Sequence, residues 1–350
     1  MPTLPAERLR EIGTALLVAN QVPENEAATV ARHVVNANLA GHDSHGVIML
    51  PNYIERVRAG QIVPGAPFTI VQESPTTTVV DGNWGFGYVI NEQAMQLTIE
   101  KAEKNNIAAC TVFRQGHVGR LASYPLMAAR AGMIGMAWAD SGRSPKGVAP
   151  FGGRAARLGT NPWAMAVPSD LDGPFCMDFA TSAVAMGKIK LAEARGQEVP
   201  RGWIVDSEGD LTTDPKKIQG GALLPLGGPG EGYKGTALAA MGEVFCGLLT
   251  GLGFGVEPTG RHNDGCFLIA IKVEAFRPLL TFRKEVADFA HYLKDTPPAK
   301  GSSGVLYPGE VEHIQERKRG AEGIEIEEAT WKKLGALAVE GGIAERLGFA

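Results

Sequence analysis

The 350-residue sequence has little of what marks a secreted, membrane-bound or nucleic-acid-binding protein. Lysine and arginine number 34 against 38 acidic residues, a net charge of −4, which disfavours a nucleic-acid partner. The N-terminus MPTLPAERLREIG carries charges where a signal peptide needs an apolar core. It predicts instead a helix with Thr3 near the N-cap and Pro5 in the first turn. We therefore expect a cytoplasmic protein with no membrane partner.

Cysteine and long apolar runs are also scarce. The four cysteines, Cys110, Cys176, Cys246 and Cys266, include no C-x-x-C pair and lie in apolar contexts, which predicts small buried thiols. The one stretch that imitates a membrane span, 236–256, contains Glu243 and five glycines. It predicts a buried helix over 236–251 followed by a glycine-rich turn.

What the sequence does have is a hydrophobic content of 44% and a regular change of pattern along the chain. Apolar residues at helical spacing predict helices over 4–19 and 24–40 and a third that ends near Gly60. From about residue 70, short β-rich runs alternate with helices, which is typical of an α/β layer. We predict strands over 77–80, 107–113, 134–139, 163–167, 175–177 and 267–273, and helices over 91–104, 119–131, 180–195 and 329–339. The segment 297–304 predicts a surface loop.

A dense polar cluster, His42-Asp43-Ser44-His45-Gly46, separates the second and third predicted helices. Histidine exchanges protons near neutral pH, and a neighbouring serine or aspartate can fix its tautomer. Two other interpretations remain open: a metal site on His42 and His45, which has no obvious third ligand, or a polar turn that caps the next helix through Asp43 or Ser44.

A second cluster, Arg114 to Arg120, directly follows an apolar strand. Ligand sites of open α/β folds gather where loops leave the sheet. His117 lies in this loop between two glycines, and Arg120 could bind a carboxylate bidentately. The alternative is a surface histidine without a catalytic role.

Two further segments, 159–162 (GTNP) and 178–182 (DFATS), carry polar groups beside predicted strands and helices. A helix N-terminus with hydroxyls favours anions, but Asp178 or Ser182 could equally be a simple N-cap. The stretch 230–235 matches G-x-G-x-x-G. Because prolines and glycines precede it and no strand does, it is not a dinucleotide fingerprint of the Rossmann type, although Lys234 could still approach a phosphate.

Taken together, these segments resemble the type 2 malate/L-lactate dehydrogenase family, most closely the branch that acts broadly on 2-hydroxycarboxylates. The matching stretches, in chain order, are GHDSHG (41–46), LPNYI (50–54), GHVGR (116–120), VAPFGG (148–153), RLGTNPWAMAVP (157–168), MDFATSAVAMGK (177–188), PRGW (200–203), TTDP (212–215), GYKG (232–235) and YPGE (307–310).

The resemblance implies an α/β fold without a Rossmann domain. Its cofactor domain is expected to have a mixed, mostly antiparallel sheet wrapped by helices, over residues 76–299. A mainly helical substrate and dimerisation domain would combine residues 1–75 with 300–350. The resemblance also implies a homodimer, with sites in the clefts between domains and subunits, that uses NAD or NADP.

The resemblance also implies roles for individual residues. The catalytic set maps onto His117, His45, Ser44 and Asp178. Substrate binding maps onto Arg120, Arg143 and Tyr53. The cofactor contacts map onto Thr160, Asn161, Pro162, Asp178, Phe179, Ala180, Lys234, Pro308, Gly309 and Glu310. No metal is expected.

Two departures from the family pattern bear on the substrate. Many members have an arginine three residues after the Ser-His-Gly glycine that helps to bind the substrate carboxylate, and here that position is Met49. We therefore expect Arg120, or alternatively Arg143, to bind the anion. The segment 140–147 (DSGRSPKG) is also longer than the usual loop.

The expected activity is the interconversion of a small 2-hydroxy acid and its 2-oxo acid with NAD or NADP. The alternatives are a reductase of cyclic ketimines such as piperideine-2-carboxylate, a non-catalytic NAD(P)-binding module and, more distantly, a metallohydrolase that uses His42 and His45.

Overall fold

The computed structural model describes residues 1–256, 261 and 263–349, and within them helices and strands alternate along most of the chain. The helices are α1 (Ala6–Val18), α2 (Glu24–Leu39), α3 (Leu50–Arg58), α4 (Gly87–Asn105), α5 (Ser123–Arg130), α6 (Met186–Ala194), α7 (Gly228–Gly242), α8 (Leu279–Lys294), α9 (Glu310–Glu322), α10 (Glu328–Glu340) and α11 (Ala344–Leu347). The strands are β1 (Thr3–Leu4), β2 (Thr69–Glu73), β3 (Thr77–Gly85), β4 (Ile107–Gln115), β5 (Met133–Ala139), β6 (Trp163–Val167), β7 (Phe175–Phe179), β8 (Ile204–Val205), β9 (Leu211–Thr212), β10 (Ala222–Leu223), β11 (Cys266–Lys272) and β12 (Ile324–Glu325).

A seven-stranded sheet forms the centre, in the order β2-β3-β4-β11-β5-β6-β7. Strands β3 and β4 run parallel, and every other neighbouring pair is antiparallel. A doubly wound nucleotide-binding sheet is mostly parallel, so this one belongs to another class. The expected α/β fold with a mixed, mostly antiparallel sheet is confirmed.

The sheet owes its stability to one buried face. Residues of β11 alternate between buried and half-buried, because successive side chains of a strand point to opposite faces. Helices α4 and α5 pack on this sheet, and their apolar side chains join those of the strands in one core with Val80, Met95 and Leu268. The four cysteines are buried thiols, as predicted.

A second core joins the two ends of the chain. It combines side chains of α1, α2 and α3 with Leu334 and Leu337 of α10 and Leu347 of α11. The short pair β1 and β12 ties the ends together, since Thr3 pairs with Glu325. The division into residues 1–75 with 300–350 and residues 76–299 stays a prediction, and β2, which precedes residue 76, is part of the central sheet.

Several predicted boundaries are wrong. Pro5, not Thr3, is the N-cap of α1, because residues 3–4 pair as a strand. The helix predicted over 180–195 begins at Met186, since Ser182 forms an isolated bridge with Pro225 and cannot be helical. The helix predicted from residue 236 already begins at Gly228, so the G-x-G-x-x-G stretch lies inside α7.

At its C-terminal end α7 widens into a π-helical turn over Glu243–Leu248. The small sheet β10-β8-β9, whose strands have two residues each, was too short for hydrophobic periodicity to reveal. In the part of the chain that the structure describes, no helix is both long and apolar enough to cross a bilayer.

Candidate active site

The Ser-His-Gly turn is held by the side chain of Asn38 at the end of α2. Its Oδ1 accepts a hydrogen bond from the Val47 backbone N–H (2.8 Å), and its Nδ2 donates to Oδ1 of Asp43 (2.6 Å). A Cβ at position 46 would overlap the Asn38 side chain, so the turn requires Gly46. Arg319 of α9 donates to Oδ1 (2.6 Å) and Oδ2 (3.0 Å) of Asp43. The turn is therefore fixed from both ends of the chain.

The alternative that Asp43 or Ser44 caps the next helix is wrong. Asp43 is occupied by Asn38 and Arg319, and α3 begins after Met49 without a side-chain cap. Ser44 Oγ instead lies 3.0 Å from Nδ1 of His45. His42 Nε2 lies 3.3 Å from Oε1 of Glu312. Among the residues that the structure describes, no three His, Cys, Asp or Glu side chains gather as a metal site would require.

His117 lies in the loop between β4 and α5, and its ring faces that of His45. The two ring centroids are 5.6 Å apart and the planes differ by 25°. The loop packs closely on α4: Gly119 has φ +69°, and a Cβ there would overlap the Tyr88 ring. Two imidazoles that are 72 positions apart in the sequence are thus brought together.

A buried phenol holds the other side of the His117 ring. Tyr53 Oη lies 2.7 Å from Nδ1 of His117 and 2.9 Å from Oη of Tyr88. Tyr53 is only 1% exposed, and burial raises the pKa of its hydroxyl well above the usual value. Tyr53, expected to bind substrate, therefore contacts the histidine from inside the protein.

The environment of His45 disfavours its protonated form. Desolvation, reinforced by the nearby charges of His42 and Arg120, lowers the pKa of His45 to about 4, while Asp264 opposes the shift. At neutral pH this ring is uncharged.

Asp264 is a residue of the site that sequence analysis missed. It is buried, its Oδ2 accepts a hydrogen bond from the Val118 backbone N–H (3.1 Å), and its charge contributes to raising the pKa of Tyr53. In the sequence Asp264 is marked only as an acidic residue two positions before the apolar strand β11. Hydrophobic periodicity predicts the strand but not a function for the acid beside it.

Asp178, in β7, acts as a helix-capping acceptor for a different element. Its Oδ2 accepts a hydrogen bond from the Ala122 backbone N–H (2.8 Å), at the start of α5. Burial raises the pKa of Asp178, and the Ala122 bond and Arg120 oppose this shift. The alternative that Asp178 or Ser182 caps the helix after β7 is wrong, because that helix begins at Met186 and Ser182 Oγ donates to Val184 O.

Three of the four predicted cofactor segments lie together around β7. The Thr181 backbone N–H donates to Thr160 O (2.8 Å), which links residues 160–162 to the segment after Asp178, Phe179 and Ala180. The Cys176 backbone N–H donates to Pro308 O (3.0 Å), which adds residues 308–310. Glu310 is occupied, since it pairs with Lys294 and accepts from the Tyr307 backbone N–H.

The fourth cofactor segment lies on α7. Lys234 is exposed, and its Nζ is 2.6 Å from Oε2 of Glu231. The helix begins after Gly227 without a side-chain cap, and the Leu226 backbone N–H donates to Thr181 O (2.8 Å). The glycine-rich start of α7 is therefore adjacent to the segment that follows Ala180.

Arg120 is a buried cation with a weak partner. It is 7% exposed, its Nη1 lies 3.3 Å from Oε1 of Glu316, and its Nε is buried without a partner. It lines a cavity of about 290 Å³ between α2, α4, α5 and α9, and its charge acts on both His45 and Asp178. Met49 packs against the helical core, and Arg143 lies in the loop 140–147.

This arrangement is the kind expected of an enzyme that moves a proton: one imidazole is uncharged at neutral pH, the other is held by a phenol, and the charge of Arg120 acts on the first. Comparison with known proteins agrees with that class. Residues 4–335 match the family model described as malate/L-lactate dehydrogenase. A malate dehydrogenase of Pyrococcus abyssi is 34% identical over 97% of this chain and 95% of its own length. An L-lactate dehydrogenase of Cupriavidus necator is 35% identical over 94% of this chain and 95% of its own.

Solved structures extend the likeness to the fold. Malate dehydrogenase from Entamoeba histolytica superposes with a TM-score of 0.93 at 32% identity, over 97% of this chain and 98% of that one. A Δ1-piperideine-2-carboxylate reductase from Pseudomonas syringae gives a TM-score of 0.84 at 26% identity, over 97% and 100%. The chain belongs to the malate/L-lactate dehydrogenase family and is an oxidoreductase of the 2-hydroxy acid dehydrogenase class. The interpretation as a non-catalytic module is thereby set aside.

The depressed pKa of His45 makes stability depend on pH. An unfolded histidine has a pKa near 6.5. Between pH 6.5 and about 4, His45 is therefore protonated in the unfolded chain but not in the folded protein. The stability that neutral His45 contributes is complete above pH 6.5 and is lost as the pH falls towards 4. We expect the His45→Asn variant to lose less free energy of unfolding than the wild type over this interval. Urea titrations at several pH values, with NMR titration of His45, measure both quantities; parallel pH profiles of the two proteins would contradict the assignment.

Proposed function

We propose that this enzyme transfers a hydride reversibly between C2 of a small 2-hydroxy acid and NAD or NADP, with His117 as the group that takes the hydroxyl proton. The observation that carries the proposal is the meeting of the His45 and His117 rings at 5.6 Å, with Tyr53 bonded to His117 Nδ1. A positioned acid–base group is what oxidation of an alcohol needs, because the hydroxyl proton must leave as the hydride does.

The residues around β7 and α7 fit a dinucleotide. The start of α7 has glycines, no side-chain cap and Lys234 in its second turn, which suits phosphates. The backbone of 160–162 and of 178–180 supports contacts to ribose and nicotinamide, and 308–310 lies beside them. When bound, the nicotinamide supplies the hydride acceptor or donor.

The hydrogen bonds of Tyr53 determine which tautomer of His117 can act as a base. A base at Nε2 requires the hydrogen on Nδ1, donated to Tyr53 Oη, and Tyr53 must then donate its own hydrogen to Tyr88 Oη. In oxidation, Nε2 takes the substrate proton, and Tyr53 Oη continues to accept the Nδ1 hydrogen of the imidazolium. His45, uncharged and bonded to Ser44, polarises the same oxygen or relays the proton.

The substrate carboxylate is proposed to bind Arg120. The buried guanidinium has an unpartnered Nε and one long contact to Glu316, so it can donate hydrogen bonds to a substrate carboxylate. The position where many family members have an arginine is the apolar Met49. Arg143 is the alternative cation.

The likeness to the piperideine-2-carboxylate reductase supports a second candidate, reduction of a cyclic ketimine by the same hydride and acid chemistry. We also propose a homodimer in the cytoplasm. The large side chains that α8 exposes, Leu280, Phe289 and Tyr292, support a partner surface.

A panel of pyruvate, oxaloacetate, 2-oxoglutarate and the cyclic imine, each with NADH and NADPH, tests the activity and the cofactor preference directly. We expect turnover of at least one 2-oxo acid.

The His117→Ala variant should lower kcat at least about a hundredfold, because a positioned acid–base group contributes roughly 10²–10⁴ in rate. Its dissociation constant for the reduced cofactor, measured by fluorescence, should stay near the wild-type value. An unchanged kcat would remove His117 from the mechanism.

Removing either phenol should disturb the tautomer of His117. Tyr53→Phe takes away the Nδ1 partner, and we expect kcat to fall about threefold to tenfold, the effect of one neutral hydrogen bond. Tyr88→Phe leaves that bond in place but frees the Tyr53 hydrogen to donate to Nδ1, so kcat should fall here too. ¹⁵N NMR of labelled histidine reads the tautomer, with Tm as the control for folding. A Tyr88→Phe variant with wild-type kcat and tautomer would refute this hydrogen-bond order.

For Arg120→Ala we expect the KM of the 2-oxo acid to rise roughly tenfold to a hundredfold, because hydrogen bonds to a charged group contribute about 1.5–3 kcal/mol. The cofactor KM should change little. Arg143→Ala is the matched control, since both changes remove one guanidinium. If only Arg143→Ala raises the substrate KM, the anion site lies on the loop 140–147 instead.

A further inference from the structure

A buried polar cluster that the mechanism above does not use joins three segments. They are the loop 140–147, the GTNP turn (159–162) and the π-helical turn at the end of α7. Asp140, Asn161 and Glu243 are 2%, 1% and 8% exposed, and the Lys146 side chain is 2% exposed. We call these four residues the Asn161 network.

Hydrogen bonds in the network converge on the amide of Asn161. Its Nδ2 donates to Ala239 O (2.9 Å) and to Oε1 of Glu243 (3.1 Å), which uses both amide hydrogens. Lys146 Nζ donates to the same Glu243 oxygen (3.1 Å) and to Ser141 Oγ (3.3 Å). Glu243 therefore links the loop 140–147 to the turn.

The backbone of this turn needs such support. Asn161 has φ +32°, a conformation that costs a non-glycine residue of order 1–3 kcal/mol and persists where the surroundings enforce it. Glu243 is the first residue of the π-helical turn, a local widening found often at functional sites. From the other side, Thr181 Oγ1 donates to Thr160 O (3.0 Å) and Asn161 O (3.1 Å).

Stability alone does not account for the charges of the network. A buried ion pair gains little over a well-packed apolar pair, because its desolvation offsets its attraction. A second acid, Asp140, adds to that cost: burial and the proximity of Glu243 raise its pKa to about 7. Its Oδ1 accepts from the backbone N–H groups of Gly142 (2.9 Å) and Gly265 (3.0 Å), so it ties the loop to the residue after Asp264.

We infer that Glu243, its charge balanced by Lys146, is a positioning residue, which holds the Asn161 amide and thereby keeps the 159–162 turn in the conformation that receives the nicotinamide cofactor. The inference rests on the proposed function, because it takes residues 160–162 as cofactor contacts.

Two double variants separate positioning from stability. Lys146→Met with Glu243→Gln removes both charges and keeps an acceptor for the Asn161 amide. Lys146→Met with Glu243→Leu removes the charges and the acceptor. We expect the leucine variant to raise the cofactor Kd about tenfold, the fold-change of one lost hydrogen bond near 1.4 kcal/mol. The glutamine variant should recover most of the affinity, and Tm should show that both variants remain folded at the assay temperature.

The readouts are Kd for NADH and NADPH by fluorescence, Tm, and the split between the KM values of cofactor and 2-oxo acid, in which only the cofactor KM should rise. Equal Kd in the leucine, glutamine and wild-type proteins overturns the inference and leaves the proposed function standing. If both double variants raise the cofactor Kd to the same extent and lower Tm to the same extent, the network has only a structural role, and the inference is also overturned.

Wild-type protein that binds neither cofactor overturns the proposed function and this inference together. Should the leucine variant not fold, Asn161→Gly supplies the same test. Glycine adopts the positive φ without strain but lacks the amide, so we expect a raised cofactor Kd with Tm preserved. An unchanged Kd in that variant is decisive against the network.

Discussion

The hydrogen bond between His117 Nδ1 and Tyr53 Oη is the contact on which the site depends. It joins the helical core, where Tyr53 lies on α3, to the sheet core, where His117 follows β4. Tyr53 and Tyr88 are both almost fully buried, so neither phenol can turn to water for another partner. An unsatisfied buried hydroxyl costs about 1–3 kcal/mol, and that penalty keeps the ring of His117 in one orientation. The histidine is thus placed by the packing of two cores, although it stands in a loop.

The same logic explains why the Ser-His-Gly turn is built from outside itself. Asn38 and Arg319 use their side chains to fix Asp43 and the backbone at Val47, which leaves Ser44 and His45 free of any capping duty. Arg319 comes from α9, so the turn is complete only when the C-terminal part of the chain has packed against the N-terminal part. The placement of His45 therefore depends on contacts made by both ends of the chain.

The residue pattern predicted six of the seven strands of the central sheet because each is a run of apolar or alternating residues bounded by turns, whereas the mixed, mostly antiparallel arrangement was expected from the family resemblance. It could not predict that Asp178 bonds Ala122, or that Asp264 lies under the His117 loop, since both contacts join segments more than fifty residues apart. The helix at 180–195 was predicted too early because residues 180–185 have helix-compatible composition, while their backbone groups are used by Thr160 and Leu224. The resemblance assigned Tyr53 to the substrate contacts. In the structure Tyr53 is buried, and its hydroxyl contacts His117.

Charge balance around His45 connects substrate binding to proton supply. In the free protein the field of Arg120 helps to hold the pKa of His45 near 4, and Asp264 pulls it upward. In the proposed complex a carboxylate neutralises Arg120, which removes one of the effects that lower this pKa while Asp264 remains. The pKa of His45 then rises, although desolvation, the largest cause of its depression, still acts on it. Reduction of a 2-oxo acid needs a proton beside the carbonyl oxygen, and it needs one only when that acid is bound. A carboxylate on Arg120 thus eases the relay of a proton through the neighbouring histidine, while His117, which takes the hydroxyl proton in oxidation, returns it in reduction.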